Sequence, residues 1–235
     1  IVIGIIVTVV VVVAADGVRS TIRTALELEM QGSYFDEHFL IVDVKVNRSF
    51  PLERKFWFQP KFHDGQSALL HVQPDNILRI DLQLGPNMNS ELEKDEERVR
   101  ARVNKILGSD VAYKLEWISL YSFSCKRIQR LRHGPIFFVG DAAHVVSPFG
   151  TRGGNGGLQD IDNLVWKVSS VINGKAPRAV LDTYDEERIP AADENLLNSA
   201  RSTGFMRPKT QASVDFREAV FELSKTMPFA RDFIN

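Results

Sequence analysis

The 235-residue chain is long enough to bury a substantial core, and at 44% hydrophobic and 25% charged it is neither a disordered linker nor a disulfide scaffold. Twenty-nine basic against 30 acidic residues leave a formal net charge of -1, which offers no global attraction to nucleic acid or an anionic membrane. A single cysteine, Cys125, forms no intrachain disulfide and agrees with a reducing, cytoplasmic setting.

Residues 1–13, IVIGIIVTVVVVV, hold twelve β-branched residues and one glycine. A spanning helix needs roughly 20 apolar residues, and β-branching favours extended backbone, so the run predicts a buried strand and no integral membrane segment. A chain without a start methionine that opens inside a core strand reads as part of a larger protein. A turn signal at Asp16-Gly17 follows. A short helix is expected from Ala25 to Met30, and alternation marks a strand at 39–46. Further strands at 55–62, 67–73 and 77–84 are separated by Pro60, Asp64-Gly65 and Pro74-Asp75-Asn76, the pattern of an antiparallel meander. Ser90 is expected to cap a helix with Leu92, Val99, Val103 and Ile106 inward and the charge run Glu91 to Arg100 in solvent. Another strand is expected at about 112–124.

From His133 the pattern becomes strand (Ile136 to Val139), Gly140-Asp141, the glycine-rich PFGTRGGNGG, and a helix with Leu158, Ile161, Leu164, Val165, Val168 and Ile172 at helical spacing. Helices at about 178–203 and 211–226 follow, separated by Gly204 and Pro208. An acidic residue at the carboxyl end of a strand, beside glycines, is the arrangement that binds ribose or pyrophosphate in open α/β sheets. Asp141 is placed on sugar, because its carboxylate accepts hydroxyl hydrogen bonds and repels phosphate. Gly153, Gly154, Gly156 and Gly157 let ligand and backbone meet, at a helix start whose free N–H groups favour negative charge. The same glycines read equally as a sharp loop. The dinucleotide fingerprint G-x-G-x-x-G is absent, and the histidines and Cys125 show no metal-ligand spacing.

Two separated motifs carry a resemblance. AADGVRSTIR (14–23) resembles the Asp-Gly motif, and VGDAAHVVSPFGTRGGNGGLQDIDNLVWKV (139–168) the Gly-Asp motif, of FAD-dependent aromatic-ring hydroxylases, the flavoprotein monooxygenases related to p-hydroxybenzoate hydroxylase and 3-(3-hydroxyphenyl)propionate hydroxylase. The resemblance runs from about Val7 to the C-terminus and is weak across 34–130. It implies an α/β fold: a partial FAD-binding Rossmann-like domain (1–33 and 131–235, ending in C-terminal helices) with an inserted antiparallel β-sheet substrate domain (34–130).

By the same resemblance, Asp16 and Arg19 support the pyrophosphate side, and Gly140, Asp141 and Ala142 form the turn that meets ribityl or ribose hydroxyls. Pro148 and Gly150 through Gly153, Gly154 and Asn155 line the isoalloxazine ring. His144 is expected to be a packed residue, and Leu164 and Trp166 core. Aromatics of the middle region, among them Phe56, Trp57, Phe58, Tyr113, Trp117, Tyr121 and Phe123, form a lid or simply sheet core. Arg79, Arg127 and Arg130 are candidates for a substrate carboxylate. The implied reaction is hydroxylation of a phenolic substrate with O₂ and NADH or NADPH, through a C4a-hydroperoxyflavin. The implied partners are the small aromatic substrate and O₂; the oligomeric state is left open, a homodimer being one candidate. The alternative is a truncated, catalytically silent flavin-fold remnant or interaction module. A flavin halogenase is disfavoured by the lack of a W-x-W-x-I-P stretch.

Overall fold

The computed structural model describes residues 11–63, 66–85 and 88–233, with the side chains of 34–37 excluded. Most of the expected buried strand at 1–13 lies outside the described residues; its end is β1 (Val12–Ala14), in which Ala14 is buried but Val12 and Val13 are exposed, against expectation. There follow α1 (Thr21–Ala25), β2 (Met30–Val46), β3 (Arg54–Trp57), β4 (Ala68–Gln73), β5 (Ile77–Leu84), α2 (Ser90–Glu93), α3 (Glu96–Leu107) and β6 (Tyr113–Ile128). The remainder comprises β7 (Arg132–His133), β8 (Ile136–Phe138), β9 (His144–Val145), α4 (Arg152–Ile172), α5 (Thr183–Met206), α6 (Gln211–Ser224) and α7 (Pro228–Arg231). Two compact units result, Phe35–Phe123 and Ile1–Tyr34 with Ser124–Asn235. No helix among the described residues is long and apolar enough to cross a membrane.

In the Phe35–Phe123 unit, β3, β4, β5 and β2 pair antiparallel in that order, with β6 next to β2. Because side chains alternate, Leu40, Val42, Val44, Leu70, Leu78, Ile80 and Leu82 share one face, buried against Val99 and Val103 of α3. Each such side chain contributes about 1.5–3 kcal/mol when fully buried. The opposite face carries a cross-strand polar row in which Asp43 pairs with Arg79, Arg79 with His71, and His71 with Arg54. Among the aromatics, Phe123 is buried against Phe39 with ring centroids 4.9 Å apart, and Trp57 packs edge-on to Phe62. Trp117 and Tyr121 face solvent.

Several elements depart from expectation for local reasons. The helix expected at 25–30 forms earlier, at α1, where Asp16 and Ser20 supply the caps. Glu27 then takes a positive φ of 53° and the chain leaves as β2. The strand expected at 55–62 stops at Trp57; Pro60 then opens a turn by accepting the His63 amide. The helix expected from Ser90 is two helices: Asn89 caps α2, and Asp95 restarts the chain as α3 by accepting the Arg98 amide. That restart leaves Leu92 in solvent and buries Glu93, which pairs with Arg98 and Arg102, against expectation, while the rest of the charge run stays largely outside and Val99 and Val103 turn inward as expected. Helix α5 runs through Gly204 and ends two residues before Pro208, consistent with proline's exclusion of helix from the preceding residue.

In the other unit, β1 lies parallel to β8, which pairs antiparallel with β7. Phe137, Phe138, Leu131, Leu164 and Tyr184 form its core. Helix α4 buries Gly156, Asp160, Leu164 and Lys167. Of the face expected to be core, Leu158, Ile161, Val165 and Ile172 are exposed, as is Trp166, whose ring lies 5.5 Å from the Lys167 ammonium.

Candidate functional site

The parallel register Val12↔Ile136, Val13↔Phe137, Ala14↔Phe138 sends β1 and β8 out of the sheet in the same direction. The Asp-Gly and Gly-Asp segments therefore emerge side by side at the carboxyl ends of neighbouring parallel strands, where open α/β sheets bind ligands. Two contacts tie them. The Val139 amide donates to the Ala14 carbonyl at 3.1 Å, and Arg23 Nη1 donates to the Ala142 carbonyl at 3.0 Å.

The Gly140-Asp141-Ala142 turn is held from beneath by a buried carboxylate. Asp160, 0% exposed, accepts the Gly140 amide (2.9 Å) and His144 Nε2 (2.7 Å) on Oδ2, and Arg188 Nε (2.8 Å) on Oδ1. An ionised carboxylate only accepts, so His144 carries its proton on Nε2. Burial alone would raise the Asp160 pKa, but the bonds from His144, Gly140 and Arg188 outweigh it and hold the group below its ordinary value. Gly140 has φ 57°, and a Cβ built on Gly157 would sit 3.2 Å from the Gly140 Cα. Glycine at both positions lets the helix start approach the strand end. Tyr184 adds a buried bond from its hydroxyl to the Phe138 carbonyl, and burial pushes its phenol up.

Above this support lie the groups that face solvent. Asp141 is exposed, with no hydrogen-bond or ionic partner among the described residues. Helix α4 begins at Arg152, so Gly153 and Gly154 lie in its first turn with N–H groups that lack intrahelical acceptors, whereas Asn155, also expected to line the ring, is the first residue whose N–H reaches the carbonyl four residues back. A Cβ on Gly154 would meet nothing within 4 Å, so the protein's own packing does not require glycine there and the backbone at that point is open to close approach. Gly150 turns the preceding loop with φ 88°, and the Pro148 carbonyl accepts the Thr151 amide. These residues fit FAD: a free carboxylate for a sugar hydroxyl, and an open glycine helix start for the electron-rich edge of a flavin.

Other predicted site residues serve differently. Asp16 Oδ2 accepts the Thr21 and Ile22 amides and the Thr21 hydroxyl, capping α1. The Ser20 hydroxyl, with the Ile22 amide, holds its carboxyl down at about 2. Arg19 is exposed and unpartnered among the described residues. The Asn155 side-chain amide bonds back to the Thr151 carbonyl. The three arginines considered for a substrate carboxylate are each ion-paired within the chain: Arg79 with Asp43, Arg127 with Asp193 and Arg130 with Asp185. His144 is packed, as expected. Sequence reasoning missed Arg23, Asp160 and Arg188. The first closes the motif AADGVRSTIR, and the second lies one helical turn before Leu164, on the same face of α4.

Residues 7–199 match the family described as FAD binding domain. An aromatic compound monooxygenase of Bacillus subtilis is 33% identical over 90% of this chain and 42% of its own length. A 3-(3-hydroxy-phenyl)propionate/3-hydroxycinnamic acid hydroxylase of Burkholderia cenocepacia is 28% identical over 95% and 40%. The chain thus spans about two fifths of these relatives. The crystal structure of aklavinone-11 hydroxylase with FAD and aklavinone shares the fold, with a TM-score of 0.74 at 24% identity over 82% of this chain and 37% of that one. The chain belongs to the family described as FAD binding domain, and the relatives it resembles include aromatic monooxygenases and hydroxylases.

Proposed function

We propose that this chain holds FAD and forms the flavin-binding and substrate-sheet portion of an NAD(P)H-dependent hydroxylase of phenolic compounds. The observation that carries the reading is the convergence of both motifs at the carboxyl ends of β1 and β8, with the unengaged carboxylate of Asp141 beside them. The family membership supports FAD as the ligand.

When bound, FAD would supply the redox chemistry that activates O₂. The chain's own residues would bind and orient it. Asp141 accepts hydrogen bonds from ribityl or ribose hydroxyls, and Asp160 holds the Gly140 amide so that this carboxylate projects outward. The free first-turn N–H groups at Gly153 and Gly154, with the dipole of the 21-residue α4, stabilise negative charge at the flavin's pyrimidine edge. Arg23 fixes the Asp-Gly segment against the turn.

The test is to load the purified chain with FAD and assay a panel of phenols for NAD(P)H consumption coupled to a hydroxylated product. Product formation supports the hydroxylase reading. An FAD-loaded chain that hydroxylates none of them leaves the silent flavin-fold reading in its place.

A further inference from the structure

The C-terminal helices border a cavity of about 770 Å³ lined by α4, α5, α6 and the residues after α7. Its volume lies in the range of small-molecule sites. Its lining includes Arg152 but none of the turn at Gly140, Asp141 and Ala142.

Two kinds of side chain line it. Phe205, Phe216 and Phe233 present phenyl rings, Phe216 and Phe233 edge-on with centroids 6.0 Å apart and each more than half exposed (52% and 56%). Large apolar rings left exposed around a concavity forgo burial energy that a flat apolar ligand would recover. The second kind is cationic. Arg201 is exposed on the wall with no acidic partner among the described residues. Among the described residues Arg152 bonds only a neutral group, the Asn195 side-chain carbonyl, at 3.1 Å. This contrasts with Arg79, Arg127, Arg130 and Arg188, each held by an aspartate. The lining holds two guanidiniums against one carboxylate, Asp232, so the cavity favours an anion. Guanidinium forks bind carboxylates bidentately and also stack on aromatic rings.

We infer that this cavity binds a small aromatic carboxylate, its acid group on Arg201 and Arg152 and its ring among Phe205, Phe216 and Phe233. The site stands on these residues alone and needs no bound flavin.

The probe is 2-naphthoate, titrated by fluorescence into the purified full chain with and without FAD. Saturable binding is expected in both forms, weakened at least tenfold in Arg201→Gln and in Phe233→Asp, which puts a like charge on the wall. Far-ultraviolet circular dichroism checks that both variants are folded. Uncharged 2-naphthamide should bind the parent at least tenfold more weakly than the acid. Equal affinity of parent and Arg201→Gln for naphthoate, equal affinity of acid and amide, or no saturable binding up to about 1 mM overturns the inference. Because the titration is also run without FAD, a failure of flavin binding leaves this result readable.

Discussion

The guanidinium of Arg23 donates to the backbone carbonyl of Ala142, 119 residues away in the chain, at 3.0 Å. A second bond runs to the carbonyl of Val18. One side chain thereby clamps the segment after β1 to the turn after β8. Hydrogen bonds from a charged donor contribute about 1.5–3 kcal/mol each, and relaxation recovers part of that on removal. Arg23→Met should lower stability by about 2 kcal/mol in urea titration and weaken FAD binding several-fold. Unchanged values of both would contradict the clamp.

Asp160 is the more sensitive position. Asp160→Asn leaves the Arg188 guanidinium buried beside a neutral group, a change that costs about 3–5 kcal/mol. The double variant Asp160→Asn with Arg188→Met removes both charges and should recover much of the loss. Hydrogen–deuterium exchange should show faster exchange of the Gly140 amide in the single variant, with or without flavin. Parent-like protection of that amide would argue against Asp160 as the support of the turn.

Asp141 should separate binding from folding. Its carboxylate has no partner among the described residues, so Asp141→Ala should change stability by no more than about 0.5 kcal/mol. Loss of a charged acceptor for a sugar hydroxyl should raise the FAD dissociation constant about ten- to a hundredfold. Equal FAD content in variant and parent would refute the sugar assignment.

The polar face of the β-sheet carries a pH dependence. Burial pushes the Asp81 carboxyl up to about 6, with Asp43 adding to the rise and Arg79 and Arg54 opposing it. Its Oδ1 has no hydrogen-bond partner among the described residues, and His71 Nε2 lies 3.7 Å from Oδ2. An unfolded aspartate titrates near about 3.9, so between about pH 4 and pH 6 the folded chain binds more protons than the unfolded one. Asp81 therefore makes stability fall as pH rises through that window and leaves it level above. Asp81→Asn should remove this slope and stabilise the chain at about pH 8 by on the order of 2 kcal/mol. Urea midpoints across the pH range decide it: the same slope in parent and variant assigns the effect elsewhere.

What could be read from the residues alone followed from periodicity and from contiguous motifs. The bounds of β5 match the expected strand and those of β4 fall within one residue, because alternation and flanking Pro-Asp-Asn leave little freedom of register. The face of α4 was not legible. Its apolar residues fall on two stripes, Leu158, Ile161, Val165 and Ile172 on one and Leu164, Val168 and Val171 on the other, and spacing alone cannot choose between them. Gly156 and Asp160 mark the buried stripe, since a Cβ on Gly156 would come within 3.3 Å of the His144 ring. The arginine pairings were equally hidden: Arg79, Arg127 and Arg130 meet aspartates 36, 66 and 55 residues away, contacts that only the fold creates. Asp16 showed as a motif residue while its capping of α1 depended on where that helix starts.

A flavin held between the two motifs would show directly in its colour. The direct measurement is the visible absorption spectrum of the purified chain after incubation with excess FAD and removal of the unbound cofactor. A yellow protein with flavin bands at about one FAD per chain is expected, with loss of that colour on gel filtration of Asp141→Ala. A colourless, folded parent chain that retains no FAD would contradict it.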